Sequence, residues 1–328
     1  MSELEASAVA RANIALAKYW GKSDIRLNLP AVPSISLTLD ALMTNTRVRF
    51  DGSLDTDRVI LDGQITEAKA SKRAVAMLDE VRELAGLNLR AEVTTTNSFP
   101  TAAGLASSAS GFAALAAASA AAAGLHLSDP ELSRMARRAS ASAARSIFGG
   151  FVELPAGAPG DDGLSARPVF GIGHWDLSMV IALTATGPKK IGSTEGMERS
   201  RMTSPYYDSW IKAAPELAAR VNKGIKNRDL GTLGRAMEES TLAFHCCAMT
   251  SSPPILYWRP ATLSVLHRVH ELREEGLSAW ATMDAGPHVK VLCERADEAK
   301  LAYELEKDPS VIEVLRCRPA GGVQVQRG

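Results

Sequence analysis

The spacing of apolar residues predicts a chain rich in strands in its first half and in helices in its second half. Residues 34–39 alternate apolar and polar side chains with a period of two, which is typical of a half-buried strand. Similar patterns predict strands at residues 8–17, 47–50, 58–61, 89–96, 151–154, 177–184, 277–283, 289–294 and 311–316. Helical spacing or strong helix formers predict helices at residues 68–85, 112–123, 210–223, 229–246, 261–275 and 296–308, and a capping box at residues 128–131 opens another helix.

The order of these elements indicates two domains, one at residues 1–185 and one at residues 186–328. The short strands between residues 34 and 61, joined by Asp-Gly turns, suggest an antiparallel meander. We expect the strand at residues 177–184 to close the first domain. Residues 188–197 form a polar, basic segment that is predicted to be a loop, and the later elements suggest an α+β second domain.

Composition favours a globular protein that acts on a small molecule. Of the 328 residues, 46% are hydrophobic, and the 37 basic residues balance the 37 acidic ones. This balance gives no reason to expect a nucleic-acid or membrane surface. The four cysteines have no metal-binding spacing, so we interpret them as reduced, buried thiols. With no signal peptide expected at the start, cytoplasmic localisation is the prediction.

The most distinctive stretch is the run of small residues at 99–111, between a predicted strand and an alanine-rich helix. Gly104 permits backbone angles that other residues avoid, and Ser107, Ser108 and Ser110 add hydroxyls at the helix start. Free N–H groups at a helix N-terminus suit a phosphate, so one interpretation is a triphosphate site. The run matches neither common nucleotide-binding motif, and on composition alone a tightly packed, capped helix is the commoner explanation.

Three further stretches and one helical arginine contain side chains that could bind or react with a ligand. The run Lys-Tyr-Trp-Gly-Lys at residues 18–22 offers clustered donors, although a solvated strand end would look the same. Arg145 lies among small and apolar neighbours, where its guanidinium needs an anionic partner. Asp284 sits in a predicted turn between two strands, a position where aspartate is usually only a turn former. Arg73 falls off the apolar face of its helix and either reaches a ligand or is solvated.

Taken together, these stretches resemble the diphosphomevalonate decarboxylases of the GHMP kinase superfamily. The resemblance is carried, in family order, by Asn13-Ile-Ala with residues 18–22, and by residues 34–39, 97–109, 140–146, 149–153, 192–197 and 283–287. The chain departs from the family pattern at three positions. Ala141 and Ala144 stand where the family usually has Gly and Cys, and His288 stands where it usually has Asn.

The resemblance implies an activity and a fold. The implied fold is the two-domain GHMP kinase fold, with an N-terminal α+β domain of the ribosomal protein S5 type and a ferredoxin-like C-terminal domain. The implied reaction uses ATP and Mg²⁺ to phosphorylate the 3-hydroxyl of mevalonate 5-diphosphate. Loss of phosphate and CO₂ then gives isopentenyl diphosphate, in the mevalonate pathway of isoprenoid biosynthesis. A homodimer is also implied.

The same resemblance assigns roles to individual residues. Asp284 would accept or orient the proton of the hydroxyl, Lys18 would stabilise charge near the transferred phosphoryl group, and Arg145 would hold the substrate carboxylate. Ser107 or Ser108 would reach Mg²⁺. The ATP-binding residues would be Asn97, Ala103, Gly104, Leu105, Ala106, Ser107 and Ser108. The substrate would be lined by Tyr19, Trp20, Gly21, Lys22, Arg73, Ser140, Ala141, Ser142, Ala143, Ala144, Arg145, Ser193 and Thr194.

Three alternatives stay open at the level of the sequence. A kinase of the same fold would phosphorylate the 3-hydroxyl of mevalonate and stop there. A decarboxylase could instead take the 5-monophosphate as its substrate. A relative without enzymatic activity could sense a phosphorylated metabolite.

Overall fold

A computed structural model describes residues 4–99, 105–187 and 189–327, which form two sheets and a short ribbon. The strands are β1 (Glu5–Ala17), β2 (Lys22–Asp24), β3 (Leu29–Pro30), β4 (Ser34–Asp51), β5 (Arg58–Leu61), β6 (Gln64–Ile65), β7 (Arg90–Asn97), β8 (Phe151–Leu154), β9 (Arg167–Phe170), β10 (Leu177–Leu183), β11 (Trp280–Met283), β12 (Val289–Glu294), β13 (Glu313–Cys317) and β14 (Gln324–Arg327). The helices are α1 (Ala68–Ala85), α2 (Ser107–Ala122), α3 (Asp129–Ala139), α4 (Ala143–Ser146), α5 (Ser193–Thr203), α6 (Tyr207–Asn227), α7 (Leu230–Met249), α8 (Pro260–Glu274) and α9 (Glu298–Glu306).

The first sheet is built around the long strand β4. The main strand order is β14-β1-β4-β7-β5-β6, with β8 added to β4 and β9 added to β8. One half of β4 pairs with β8 and the other half with β7, while β1 runs antiparallel along both halves. Helix α2 packs on β1 and β4 and is buried on nearly every side, which its alanine side chains permit because they are small.

The second sheet has the order β11-β12-β10-β13, and all its pairs are antiparallel. Helices α8 and α9 pack against one of its faces, through the apolar cluster that contains Val180, Val289 and Val291. Helix α7 packs against β11. Helices therefore lie with sheets in both halves of the chain, and the α+β class predicted from the sequence is confirmed.

The predicted antiparallel meander is wrong. Residues 34–39 and 47–50 belong to one continuous strand, β4, because burial keeps alternating between them, with Leu42, Thr44 and Thr46 buried and their neighbours exposed. Strand β5 pairs in parallel with β7, and α1 provides the crossover that parallel neighbours require.

Four other predictions need correction. The strand predicted to close the first domain is β10, which pairs with β12 and β13 in the second sheet. Strand β14, which was not predicted, returns to β1 in the first sheet. The segment predicted as a loop at residues 188–197 contains the start of α5 at Ser193. Cys246 is exposed, since it lies on the solvent side of α7, whereas the other three cysteines are buried.

Helix α7 joins the second sheet to the rest of the molecule through close packing at a glycine. A Cβ atom added at Gly234 would lie 2.0 Å from the ring of Trp280, the first residue of β11. The absence of a side chain at this position lets α7 approach the strand that leads to Asp284. Within the described residues, no helix combines the length and the apolar character needed to cross a bilayer.

We expect Gly234→Ala to destabilise the protein by about 1–3 kcal/mol, because the added methyl group would overpack the contact with Trp280. Denaturant unfolding measures the change. The matched control is Gly111→Ala in α2, where an added Cβ meets no atom of the described residues within 4 Å. The control should be neutral or stabilising by up to about 1 kcal/mol. Equal destabilisation by both variants would contradict this account of the packing.

Candidate active site

A cleft of about 890 Å³ brings together residues from both halves of the chain. Its walls come from the end of β1, the start of α2, the segment before α4, the start of α5 and the turn after β11. The lining side chains that carry charge are Lys18, Lys22, Arg73, Arg145, Lys189, Glu195 and Asp284. Because basic groups outnumber acidic ones here, the cleft suits an anionic ligand although the chain as a whole is neutral.

Lys18 and Asp284 form an ion pair at the centre of the cleft. The Lys18 ammonium donates to Asp284 Oδ1 at 2.7 Å and to the carbonyl oxygen of Ala15 at 2.8 Å. Lys18 is buried, and Asp284 retains part of its surface facing the cleft. The pair connects residues 266 positions apart in the chain.

A second ammonium faces the other oxygen of the same carboxylate. Lys290 Nζ, which is fully buried, lies 3.1 Å from Asp284 Oδ2. Burial by itself acts to raise the pKa of Asp284, but Lys18 and Lys290 together outweigh burial and hold that pKa well below its usual range. Asp284 is therefore ionised at any physiological pH. Oδ2 is itself buried against Lys290, so the part of the Asp284 side chain that faces the cleft does not include this oxygen.

Two consecutive residues of α7 fix the backbone on both sides of this ion pair. The Ser240 hydroxyl accepts a hydrogen bond from the backbone N–H of Lys18 at 2.9 Å. The Thr241 hydroxyl donates to the carbonyl of Met283 at 2.7 Å and accepts from its N–H at 3.0 Å. Helix α7 thus sets the distance between the residue that carries the ammonium and the turn that carries the carboxylate.

Arg145 projects from α4 and has no carboxylate among the described residues within ion-pair distance. Its Nε donates to Ser36 Oγ at 3.0 Å and Asn13 Oδ1 at 3.2 Å, and its Nη1 donates to Ser34 Oγ at 2.7 Å. These neutral acceptors orient the guanidinium without balancing its charge. Burial lowers the pKa of Arg145 to about 10, so the group stays cationic at neutral pH.

Three further cations line the cleft at its other walls. Lys22 donates to Thr194 Oγ1 at 3.4 Å, and Lys189 donates to Ser193 Oγ at 2.8 Å and to the carbonyl of Ala285 at 3.1 Å. Arg73 donates to the carbonyl of Ala139 at 3.0 Å. Burial lowers the pKa values of Lys22 and Lys189 to about 8 each.

The N-terminus of α2 opens into the same cleft. Ala106 precedes the helix in the left-handed conformation, with φ of 59°, and no side chain caps the helix there. Ala106, Ser107 and Ser108 line the cleft. This arrangement fits a phosphate, because the first N–H groups of a 16-residue helix lie beside serine hydroxyls.

The residues of the cleft suit a Mg²⁺ ion that is bound mainly through a nucleotide. In the part of the chain that the structure describes, no cluster of three or more His, Cys, Asp or Glu side chains could hold a metal ion. Mg²⁺ commonly retains waters and binds through substrate phosphates with few protein ligands. Ser107 or Ser108 could supply one such ligand, so the residues present suit a metal ion that arrives with a nucleotide.

The structure brings most of the predicted site residues to this one cleft. Those that line it are Lys18, Tyr19, Trp20, Lys22, Arg73, Ala106, Ser107, Ser108, Ser140, Ala141, Ser142, Arg145, Ser193, Thr194 and Asp284. The Tyr19 hydroxyl and the Trp20 Nε1 are buried without a hydrogen-bond partner among the described residues.

Other predicted site residues do not line the cleft. Ala143, Ala144 and Leu105 are fully buried in apolar clusters, because their side chains pack inward from the segments that form the wall. Gly21 lies against Tyr207, whose hydroxyl would be 2.3 Å from an added Cβ. Asn97, at the end of β7, accepts a hydrogen bond from Thr44 at 2.6 Å. Ala103 and Gly104 lie outside the described residues.

Two lysines of the site are absent from the predicted site residues. From the sequence, Lys189 could hold an anion, but a surface loop is the default interpretation of its segment. Lys290 lies within an apolar strand, and its position there was the available signal, because a lysine in a buried strand needs an anionic partner.

The chain matches two families along its length. Residues 10–165 match the diphosphomevalonate decarboxylase-like N-terminal domain, and residues 179–313 match the mevalonate 5-diphosphate decarboxylase C-terminal domain. Among curated relatives, the diphosphomevalonate decarboxylase of Ganoderma lucidum is 37% identical, over 89% of this chain and 78% of the relative. The human diphosphomevalonate decarboxylase is 36% identical, over 86% of this chain and 75% of the relative.

Solved structures agree with the sequence matches. The mevalonate diphosphate decarboxylase from Enterococcus faecalis is similar with a TM-score of 0.92 and 38% identity, and both chains are covered completely. A complex described as MDDEF with MVAPP, AMPPCP and magnesium is similar with a TM-score of 0.93 and 38% identity, again over the whole of both chains. The chain described here therefore belongs to the diphosphomevalonate decarboxylase family.

Proposed function

We propose that this protein catalyses the ATP-dependent decarboxylation of mevalonate 5-diphosphate. The products are isopentenyl diphosphate, ADP, phosphate and CO₂. The observation that carries the proposal is the content of one cleft, where an ionised carboxylate with part of its surface exposed lies among several cations, one of them a buried arginine with no carboxylate partner in the described part of the chain. The family membership and the relatives' shared activity support the same assignment.

Asp284 acts on the tertiary hydroxyl of the substrate. Oδ1 contacts Lys18 and Oδ2 is buried against Lys290, so the hydroxyl would approach the exposed side of the carboxylate that faces the cleft. A carboxylate with a strongly lowered pKa is a weak base, and its first role is to orient the hydroxyl oxygen toward the phosphoryl group. The hydroxyl becomes more acidic as the new O–P bond forms, and Asp284 can then take its proton.

Arg145 acts on the carboxylate of the substrate. Its guanidinium is oriented by Ser34, Ser36 and Asn13, and the substrate carboxylate would supply the missing negative charge. When the 3-phosphate leaves C3, the bond between the carboxylate carbon and its neighbour breaks, and its electron pair forms the new double bond. Holding the carboxylate in a fixed orientation favours this cleavage.

The remaining cations of the cleft serve the phosphates. Lys22, Arg73 and Lys189 line walls that can pair with the diphosphate and the nucleotide, and Ser107 and Ser108 stand at the helix N-terminus suited to the ATP phosphates. Phosphoryl transfer depends mainly on positioning and charge stabilisation. Mg²⁺, bound with the nucleotide, would neutralise charge on the phosphates during transfer.

The cellular setting and the assembly are also proposed. Free cysteines support a cytoplasmic protein, and the family resemblance supports a homodimer. Light scattering of the purified protein gives the assembly directly. Comparing the 5-monophosphate with the 5-diphosphate as substrates tests which one the cation-rich cleft selects.

We expect Asp284→Asn to lower the rate of turnover by about 10²–10⁴-fold, because the variant keeps the side-chain shape but cannot accept the hydroxyl proton. ATP affinity should change little, since the assigned role of Asp284 is at the substrate hydroxyl. Turnover is measured as ADP release, and ATP affinity by calorimetry. Near-normal turnover in this variant would contradict the assignment of Asp284.

The same assay tests the proposed reaction in the unmodified protein. ADP, phosphate and CO₂ should appear in equal amounts with mevalonate 5-diphosphate, ATP and Mg²⁺. Release of ADP without CO₂ would instead make the protein a kinase.

We expect kcat/KM to fall as the pH rises through about 8. Lys18, Lys22 and Lys189 each have a pKa of about 8, so a rise in pH removes their protons and with them the charges that attract the phosphates. Since kcat/KM reports the free enzyme, a profile from pH 6 to 10 measures the effect. An alkaline limb only near the ordinary lysine pKa of about 10.4 would show that burial does not shift these groups.

A further inference from the structure

Lys290 occupies an unusual position for a charged residue. It lies on β12, an inner strand of the second sheet, directly opposite Thr282 of β11 and Ile181 of β10. Its side chain is fully buried. Because side chains alternate along a strand, Lys290 shares a face with Leu292, whereas Val289 and Val291 face the helices on the other side.

A buried ammonium is unfavourable unless an anion faces it. The anion that faces Lys290 is the Asp284 carboxylate, at 3.1 Å from Oδ2. Lys18 contacts the opposite oxygen, Oδ1, at 2.7 Å. The carboxylate therefore has one cation on each oxygen, and the two cations come from different halves of the chain.

From this geometry we infer that Lys290 is a positioning residue for the decarboxylation, which acts by fixing the orientation of the Asp284 carboxylate toward the substrate hydroxyl. Lys290 does not line the cleft, so it works through Asp284 and not on the substrate. With Lys18 alone, the carboxylate could rotate about its side-chain bonds and present either oxygen. The inference rests on the proposed function and adds a residue to its machinery.

The other charged and titratable groups around the pair are consistent with this role. Four such groups interact with Asp284 or Lys290. They are Lys18, directly after β1, Arg145 of α4, Lys189 of the segment before α5, and His245 of α7. Burial keeps the pKa of His245 well below its usual range, so its imidazole is neutral. Asp284 is thus the carboxylate that these cations share.

The test compares Lys290→Met with Lys300→Met, an identical substitution at an exposed lysine of α9. We expect Lys290→Met to lower the single-turnover rate by roughly 10- to 100-fold while KM for mevalonate 5-diphosphate stays within about twofold. Removing one cation raises the pKa of Asp284, so the acid limb of the rate profile should move to higher pH. Lys300→Met should match the unmodified protein. The inference is overturned if the rate falls, KM for mevalonate 5-diphosphate rises by a similar factor, and the pH profile does not change.

A double-mutant cycle with Asp284→Asn separates this role from simple packing. In the Asp284→Asn background, Lys290→Met should cause no further loss of rate, and it should raise the melting temperature because it removes an uncompensated buried charge. The same loss of rate in both backgrounds would overturn the inference. If Lys290→Met does not fold, Lys290→Gln replaces it with the same expected outcomes. A failure of the proposed function would appear separately, as absence of CO₂ from the unmodified protein.

Discussion

The buried ion pair between Lys18 and Asp284 is the interaction on which the site depends. It joins the end of the first strand to a turn in the second sheet, and it lies where the two halves of the chain meet. Ser240 and Thr241, adjacent residues of α7, hold the backbone on either side of it. The fold therefore supplies a carboxylate of fixed position and fixed charge before any substrate binds, which is the preorganisation that catalysis by positioning requires.

The rest of the cleft carries positive charge that the protein itself balances only in part. Arg145 is held by neutral oxygens, and burial lowers the pKa values of Lys22 and Lys189 to about 8. Such burial is unfavourable in the free protein and is relieved when an anion arrives. A ligand with a carboxylate and several phosphates meets this requirement, which connects the electrostatics of the free protein to the substrate of the family.

Local patterns predicted most elements of the fold but not their partners. Alternation along residues 34–39 identified a strand, and the small-residue run at 99–111 pointed to the start of α2. The parallel pairing of β5 with β7 and the return of β14 to the first sheet depend on contacts between distant residues, which periodicity does not encode. In the site, motifs indicated Lys18, Arg145 and Asp284. The apolar strand around Lys290 signals that this lysine needs an anionic partner, but only the fold identifies that partner as Asp284.

The most direct test of the central claim is a crystal structure of this protein with mevalonate 5-diphosphate and a non-hydrolysable ATP analogue. The expected result is a substrate hydroxyl within hydrogen-bond distance of the Asp284 carboxylate, about 2.6–3.2 Å, and a substrate carboxylate on the Arg145 guanidinium. A substrate bound with its hydroxyl turned away from Asp284, and with another group or solvent at Arg145, would contradict it.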